Sequence, residues 1–249
     1  MNITRQKIIK ILKTELVKKP AVFALWLEGA DAHKRFDKYS DIDIWIDVED
    51  KHIGKTFNVI KEILAKLSPL DYFYEVNHPH PKIHQAFFHL QDSSEFLVID
   101  ICIQKHSRNF WYTKGYKDEK VKILFDKKKV IKYKPLSKTI FNKEIKLRID
   151  ELIKTFYFFQ IWVKKGINRK KYLEALSYYH EFILHPLVEL IRIKYEPTKK
   201  DFYLKHLDLD LPEETVKQIE DLFKVRSIIE IKKKMKIANE LFNYIIKNL

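Results

Sequence analysis

The sequence predicts an α+β chain: a mixed-sheet domain over residues 1–135, followed by an all-α helical bundle over residues 136–249. In the first part, apolar runs of strand length at 22–27, 42–48 and 96–103 alternate with amphipathic helical patterns and turn residues. From about Leu136 the apolar period becomes purely helical. The 249 residues, 46% hydrophobic and 14% aromatic, are enough for one large domain or two small ones with real cores.

Thr4 can cap a first helix whose apolar positions Ile8, Ile9, Leu12, Leu16 and Val17 recur at helical spacing and end before Pro20. Residues 21–28 read as a buried strand broken by Gly29, and Ser40, Asp41 and Asp43 open the next strand. Ile53, Phe57, Ile60, Ile63, Leu64 and Leu67 define a second helix, and a strand follows near 72–76. His78, His80 and His84 invite a zinc reading, but Pro79 and Pro81 enforce an extended loop and no Cys or carboxylate cluster accompanies the imidazoles. A loop bordering a ligand cleft is expected instead.

Residues 85–90 and 95–103 read as a hairpin turning at 91–94. An irregular aromatic and basic stretch with Trp111, Tyr112, Lys114 and Tyr116 leads to a short strand at 121–126 and a lysine turn. In the bundle, a helix through Ile145, Ile149, Leu152 and Phe156 should stop at Gly166, with Asn168 capping the next. That helix, from Arg169 to about Lys194, should bury Leu173, Leu176, Ile183, Leu187 and Leu190 and kink at Pro186. A helix near Pro212 and a final one from about Ser227 complete the bundle.

Charge narrows the functional classes. The net charge is +14, but residues 1–136 carry 25 basic against 18 acidic side chains and the remainder 23 against 16, so each part is +7. Only seven of the basic residues are Arg, and lysines spread this evenly read as a solvated surface with some affinity for polyanions. The single Cys102 lies in an apolar strand, excluding an intrachain disulfide and matching a reducing, cytoplasmic setting. No signal-peptide core and no membrane-length apolar stretch is present, so no membrane partner is expected.

The chemistry concentrates at Ser40-Asp41-Ile42-Asp43. Strand alternation puts Asp41 and Asp43 on one face and Ile42 and Ile44 on the other. Two adjacent carboxylates repel unless a cation lies between them, and hard oxygen donors of this kind suit magnesium. Asp100 interrupts an otherwise apolar eight-residue strand, a costly placement for a carboxylate without a partner or metal, and is the third candidate.

A strand, a Gly turn at Gly29, Ser-Asp-x-Asp on the next strand and a later Asp together resemble the polymerase-beta-type nucleotidyltransferase superfamily. The segment Leu124-Phe125-Asp126-Lys127 and the run from Tyr157 to Gly166 before a helix containing Pro186 are similar to its aminoglycoside 6-adenylyltransferase (streptomycin adenylyltransferase) family. The resemblance implies magnesium-dependent transfer of a nucleoside monophosphate, AMP from ATP, to a hydroxyl of an aminoglycoside-like small molecule. Asp41 and Asp43 would hold magnesium, Gly29 and Ala30 would cradle the phosphates beside Ser40, and Asp100 would ligate a second magnesium or take the acceptor's proton. One position departs from the pattern: the family's turn Ser is Ala30 here, so the turn offers backbone N–H groups without a hydroxyl.

For the acceptor, Glu174, Tyr178, Glu181 and His185 recur at helical spacing and form one stripe. They are the solvated edge of the helix or, functionally, a carboxylate pair and an aromatic facing a cleft between the domains. Two other classes stay open: transfer to RNA or a protein, for which basicity and Trp111-Tyr112 speak, and a non-catalytic nucleotide-binding relative, for which Ala30 speaks.

Overall fold

A computed structural model of the chain describes residues 3–116 and 119–249. It divides into two compact units, Met1–Leu136 and Ser137–Leu249.

In the first unit, α1 (Arg5–Leu16) starts where the Thr4 side chain accepts a hydrogen bond from the Lys7 N–H. The strands are β1 (Val22–Leu27), β2 (Ile42–Val48), β3 (Leu70–Val76), β4 (Ile83–Leu90), β5 (Ile99–Lys105), β6 (Tyr112–Lys114), β7 (Lys122–Asp126) and β8 (Tyr133–Pro135). A short helix, α2 (Gly29–His33), follows β1, and α3 (Ile53–Ala65) follows β2. Six strands form one sheet in the order β3-β4-β5-β2-β1-β7, in which β2 and β5 are parallel and the other pairs antiparallel. The sheet is therefore mixed, as the sequence predicts. β6 and β8 pair separately.

Alternation divides the sheet into two faces. Leu25, Leu27, Ile42, Ile44, Ile46, Ile99, Ile101 and Ile103 bury against Ile8, Leu12 and Leu16 of α1 and Phe57, Ile60 and Leu64 of α3. Each such side chain contributes about 1.5–3 kcal/mol through burial. The opposite face carries the carboxylates and a smaller cluster in which Trp26 stacks between Trp45 and Phe110, with ring centroids 6.0 and 6.1 Å away. Two expectations shift. Strand β5 begins at Ile99 rather than 95, because residues 91–98 form a longer connection. The histidine loop lies past Ile83, which pairs with Gln104, at the end of β5 away from Asp100.

The second unit contains α4 (Lys138–Asn168), α5 (Tyr172–Tyr179), α6 (His185–Tyr195), α7 (Leu207–Asp210), α8 (Glu213–Phe223) and α9 (Ile228–Lys247). Gly166 does not end α4. It lies inside the helix, where a Cβ would meet the Ala175 Cα at 2.9 Å, so its role is to let α4 and α5 approach closely. The left-handed residue past the end is Lys170 (φ +56°), and Asn168 is the last residue of α4, not a cap for α5. A π-helical turn, His180–Leu184, stands where the sequence predicts only a proline kink. Its wide bond from the His185 N–H to the His180 carbonyl comes just ahead of Pro186, which has no N–H to donate. Leu173 is 76% exposed, against the expectation that it is buried.

Arg192 anchors this unit. Its Nε donates to the Tyr203 carbonyl, and its Nη1 and the Lys199 Nζ reach the Asp210 carboxylate at 3.1 and 2.6 Å, all nearly excluded from water. Burial by itself raises the pKa of Asp210, but the hydrogen bonds and charges of Lys199 and Arg192 outweigh it and hold the carboxyl below its ordinary value. A depressed pKa means that the unfolded chain binds more protons. This contribution to stability is present above the ordinary aspartate value and is lost as pH falls through the folded one. Asp210→Asn, which removes the buried negative charge that Arg192 and Lys199 share, should cost about 3–5 kcal/mol. Denaturant titration at neutral pH checks this: a loss below about 1 kcal/mol would mean that the cations find other partners.

Candidate functional site

The chain places Asp41, Asp43 and Asp100 at the edge of the sheet where β1 ends and β2 and β5 begin. Asp43 and Asp100 are register partners on the two parallel strands, directly side by side on the face opposite the Ile42 and Ile99 core. Asp41 precedes β2 and is exposed. Both oxygens of Asp100 accept from the Gln85 Nε2 at 2.9 Å. Burial raises the Asp100 pKa; the Gln85 hydrogen bond opposes this and the Asp41 charge reinforces it. The neighbouring Cys102 thiol is pushed well above its ordinary range by burial and then by Asp100, Glu28 and Asp43, which marks the edge as a concentration of negative charge.

Gly29 is required where it stands. Its φ of +54° is left-handed, and a Cβ there would lie 1.9 Å from Asp43 Oδ2. The carboxylate thus occupies space that only a glycine leaves open, and the Glu28 N–H donates to the Asp43 carbonyl at 3.1 Å to hold the two strands in place. Ala30 sits in the first turn of α2, and its carbonyl accepts from the Arg35 N–H at 2.9 Å. Ser40 closes its own loop: its hydroxyl accepts from the Asp37 N–H at 2.9 Å and donates to Asp37 Oδ1 at 2.8 Å.

Sequence reasoning missed the groups that brace this edge. Arg5, on α1, is buried; it pairs with buried Asp31 of α2 and donates to the carbonyls of Ser40 and, at 2.9 Å, Asp41. One guanidinium therefore ties α1, α2 and the approach to β2 together. Arg5 is the first residue of α1, and nothing local in the sequence marks it as buried. Glu28 is a fourth carboxylate here. It accepts from the Tyr112 hydroxyl and from Trp26 Nε1 at 3.1 Å, and burial raises its pKa against those hydrogen bonds. Tyr112 accordingly packs, partly buried, against the Trp26 cluster, whereas Trp111 is 43% exposed with the Lys134 ammonium 3.2 Å from its ring centre.

The residues proposed for the acceptor lie in the second unit. Glu174 pairs with Lys171 at 3.4 Å and Arg169 at 3.9 Å, and Tyr178 stacks on Phe182 with centroids 5.7 Å apart. Glu181 is exposed within the π-turn. His185 leaves the stripe, because the wider turn advances the helix by about one residue, and it stacks on Tyr203 at 4.5 Å.

No protein-family model and no curated protein matches the chain. Among solved structures it is similar to the crystal structure of JHP933 from Helicobacter pylori, with 12% identity and a TM-score of 0.30 over 99% of this chain and 96% of that one.

Proposed function

We propose that the chain is a magnesium-dependent nucleotidyltransferase of the polymerase-beta type, moving AMP from ATP to a hydroxyl of a small molecule such as an aminoglycoside-like antibiotic. The observation that carries this reading is the side-by-side register of Asp43 and Asp100, with the Gly29 backbone against Asp43. Hard carboxylate oxygens suit magnesium. Among the described residues no three His, Cys, Asp or Glu side chains converge as a ready metal cage. Magnesium carried by a triphosphate takes only one or two carboxylates from a protein, and phosphate and water complete its shell. Asp41 and Asp43 would hold it, and it would neutralise phosphate charge.

In this reaction the acceptor oxygen bonds to the α-phosphorus, the bond from that phosphorus to the bridging oxygen breaks, and pyrophosphate leaves. The chain's own contribution is positioning and a place for the hydroxyl proton. Asp100 serves as the proton acceptor, a role favoured by a carboxyl whose pKa burial has raised. Transfer to RNA or protein is the second reading, supported by the +14 charge and the exposed Trp111–Lys134 pair.

Incubating the protein with magnesium and each labelled nucleoside triphosphate, with aminoglycosides or total RNA as acceptors, tests both readings. Magnesium-dependent label on an aminoglycoside is the expected result. Label on RNA alone promotes the second reading, and no transfer from any triphosphate overturns both. Ala30→Ser, which restores a hydroxyl to the turn, should leave nucleotide affinity unchanged or raise it up to about tenfold. Markedly weaker binding by calorimetry would mean that this turn does not meet phosphate.

A further inference from the structure

The pairing of four adjacent strands puts four side chains in one line across the sheet. Asp43 pairs with Asp100, Asp100 with Phe87, and Phe87 with Tyr74. Partners directly across a ladder point to the same face. Ala86 and Phe88 on either side of Phe87 belong to the buried core, which fixes Phe87 on the carboxylate face. Phe73, next to Tyr74, packs on Phe88 on the core side, with ring centroids 5.1 Å apart. Tyr74 therefore shares the carboxylate face, as does Tyr72, and the two are 53% and 57% exposed on the edge strand β3.

The order along the line assigns sides. Gly29 lies against Asp43 at one end, and the rings lie beyond Asp100 at the other. With strands about 5 Å apart, Phe87 stands one strand and Tyr74 two strands from Asp100, so a ring resting on them leaves an attached sugar-sized group over the carboxylate. We propose, resting on the nucleotidyl-transfer reading but not on its amino-sugar acceptor, that Phe87 and Tyr74 form the acceptor subsite and take a flat unsaturated ring, which aminoglycosides lack, carried by a hydroxyl-bearing small molecule. Aromatic faces hold such rings by stacking with little dependence on their substituents.

The probe is 2-aminopurine riboside, whose fluorescence is quenched on stacking, titrated with magnesium and a saturating non-hydrolysable ATP analogue present. Wild type should quench it. Tyr74→Leu and Phe87→Leu should each weaken binding about tenfold, whereas Tyr74→Phe, which keeps the ring, should stay within about twofold. Both leucine variants keep an apolar side chain, and melting curves confirm that they are folded. An unquenched probe, or equal affinity in Tyr74→Leu, overturns the subsite. Competition by p-nitrophenyl glucoside against adenosine distinguishes an aryl acceptor from a nucleobase. Label transfer read in parallel separates the two proposals: transfer with unchanged acceptor KM in Tyr74→Leu sinks the subsite alone, and quenching without any transfer sinks the enzymatic reading alone.

Discussion

Asp43→Asn is expected to lower nucleotidyl transfer by at least about a thousandfold while the protein stays folded. The amide keeps the shape that fits against Gly29 but removes one full negative charge from Asp41 and Asp43, the two carboxylates that would hold the metal. At the neighbouring Asp100 stability should move the other way. Asp100 has its pKa raised by burial, with Gln85 opposing and Asp41 adding to the rise, so the folded state binds its proton more tightly than the unfolded chain does. Its contribution therefore falls as pH rises through the ordinary aspartate value toward the folded one. Asp100→Asn removes that penalty, and without magnesium its melting temperature at pH 7 should equal or exceed that of wild type. Initial rates and melting curves for both variants check this. Near-wild-type turnover in Asp43→Asn would remove the metal assignment, and a lower melting point for Asp100→Asn would mean that the carboxylate is better satisfied than its burial implies.

Much of this geometry was legible because it is local. Strand alternation alone put Asp43 opposite Ile42 and Ile44, and the caps at Thr4 and Ser227 sit where a hydroxyl precedes an amphipathic run. What escaped depends on long-range pairing. Nothing near Tyr74 or Phe87 in the chain says that they fall in line with Asp100, since that follows from the registers of β3, β4 and β5. Arg5 reads as one more polar position of a helix until Asp31 and the Ser40 and Asp41 carbonyls are folded around it. In the bundle, helical period located the elements but missed the π-turn at His180–Leu184, because a single extra residue per turn barely disturbs an apolar pattern while shifting everything after it. That shift separates His185 from the stripe of Glu174 and Tyr178.

The sharpest dependence of the site on a single atom is at Gly29, and Gly29→Ala is expected to abolish transfer and to destabilise the protein by about 2–4 kcal/mol. Two costs combine. A left-handed φ of +54° is strained for alanine, at about 1 kcal/mol or somewhat more. The new methyl would also meet Asp43 Oδ2 at 1.9 Å and its Cγ at 2.9 Å, so the carboxylate must rotate away from the position it shares with Asp100. Because the second cost exists only while a carboxylate stands at 43, the two sites are energetically coupled, and a double-mutant cycle isolates the term. In an Asp43→Ala background, Gly29→Ala should cost only the backbone strain, giving a coupling of about 1–3 kcal/mol by denaturant titration. Additive effects would show that Asp43 yields to the methyl at no cost, and retained transfer in Gly29→Ala would show that the carboxylate need not stand where the turn holds it.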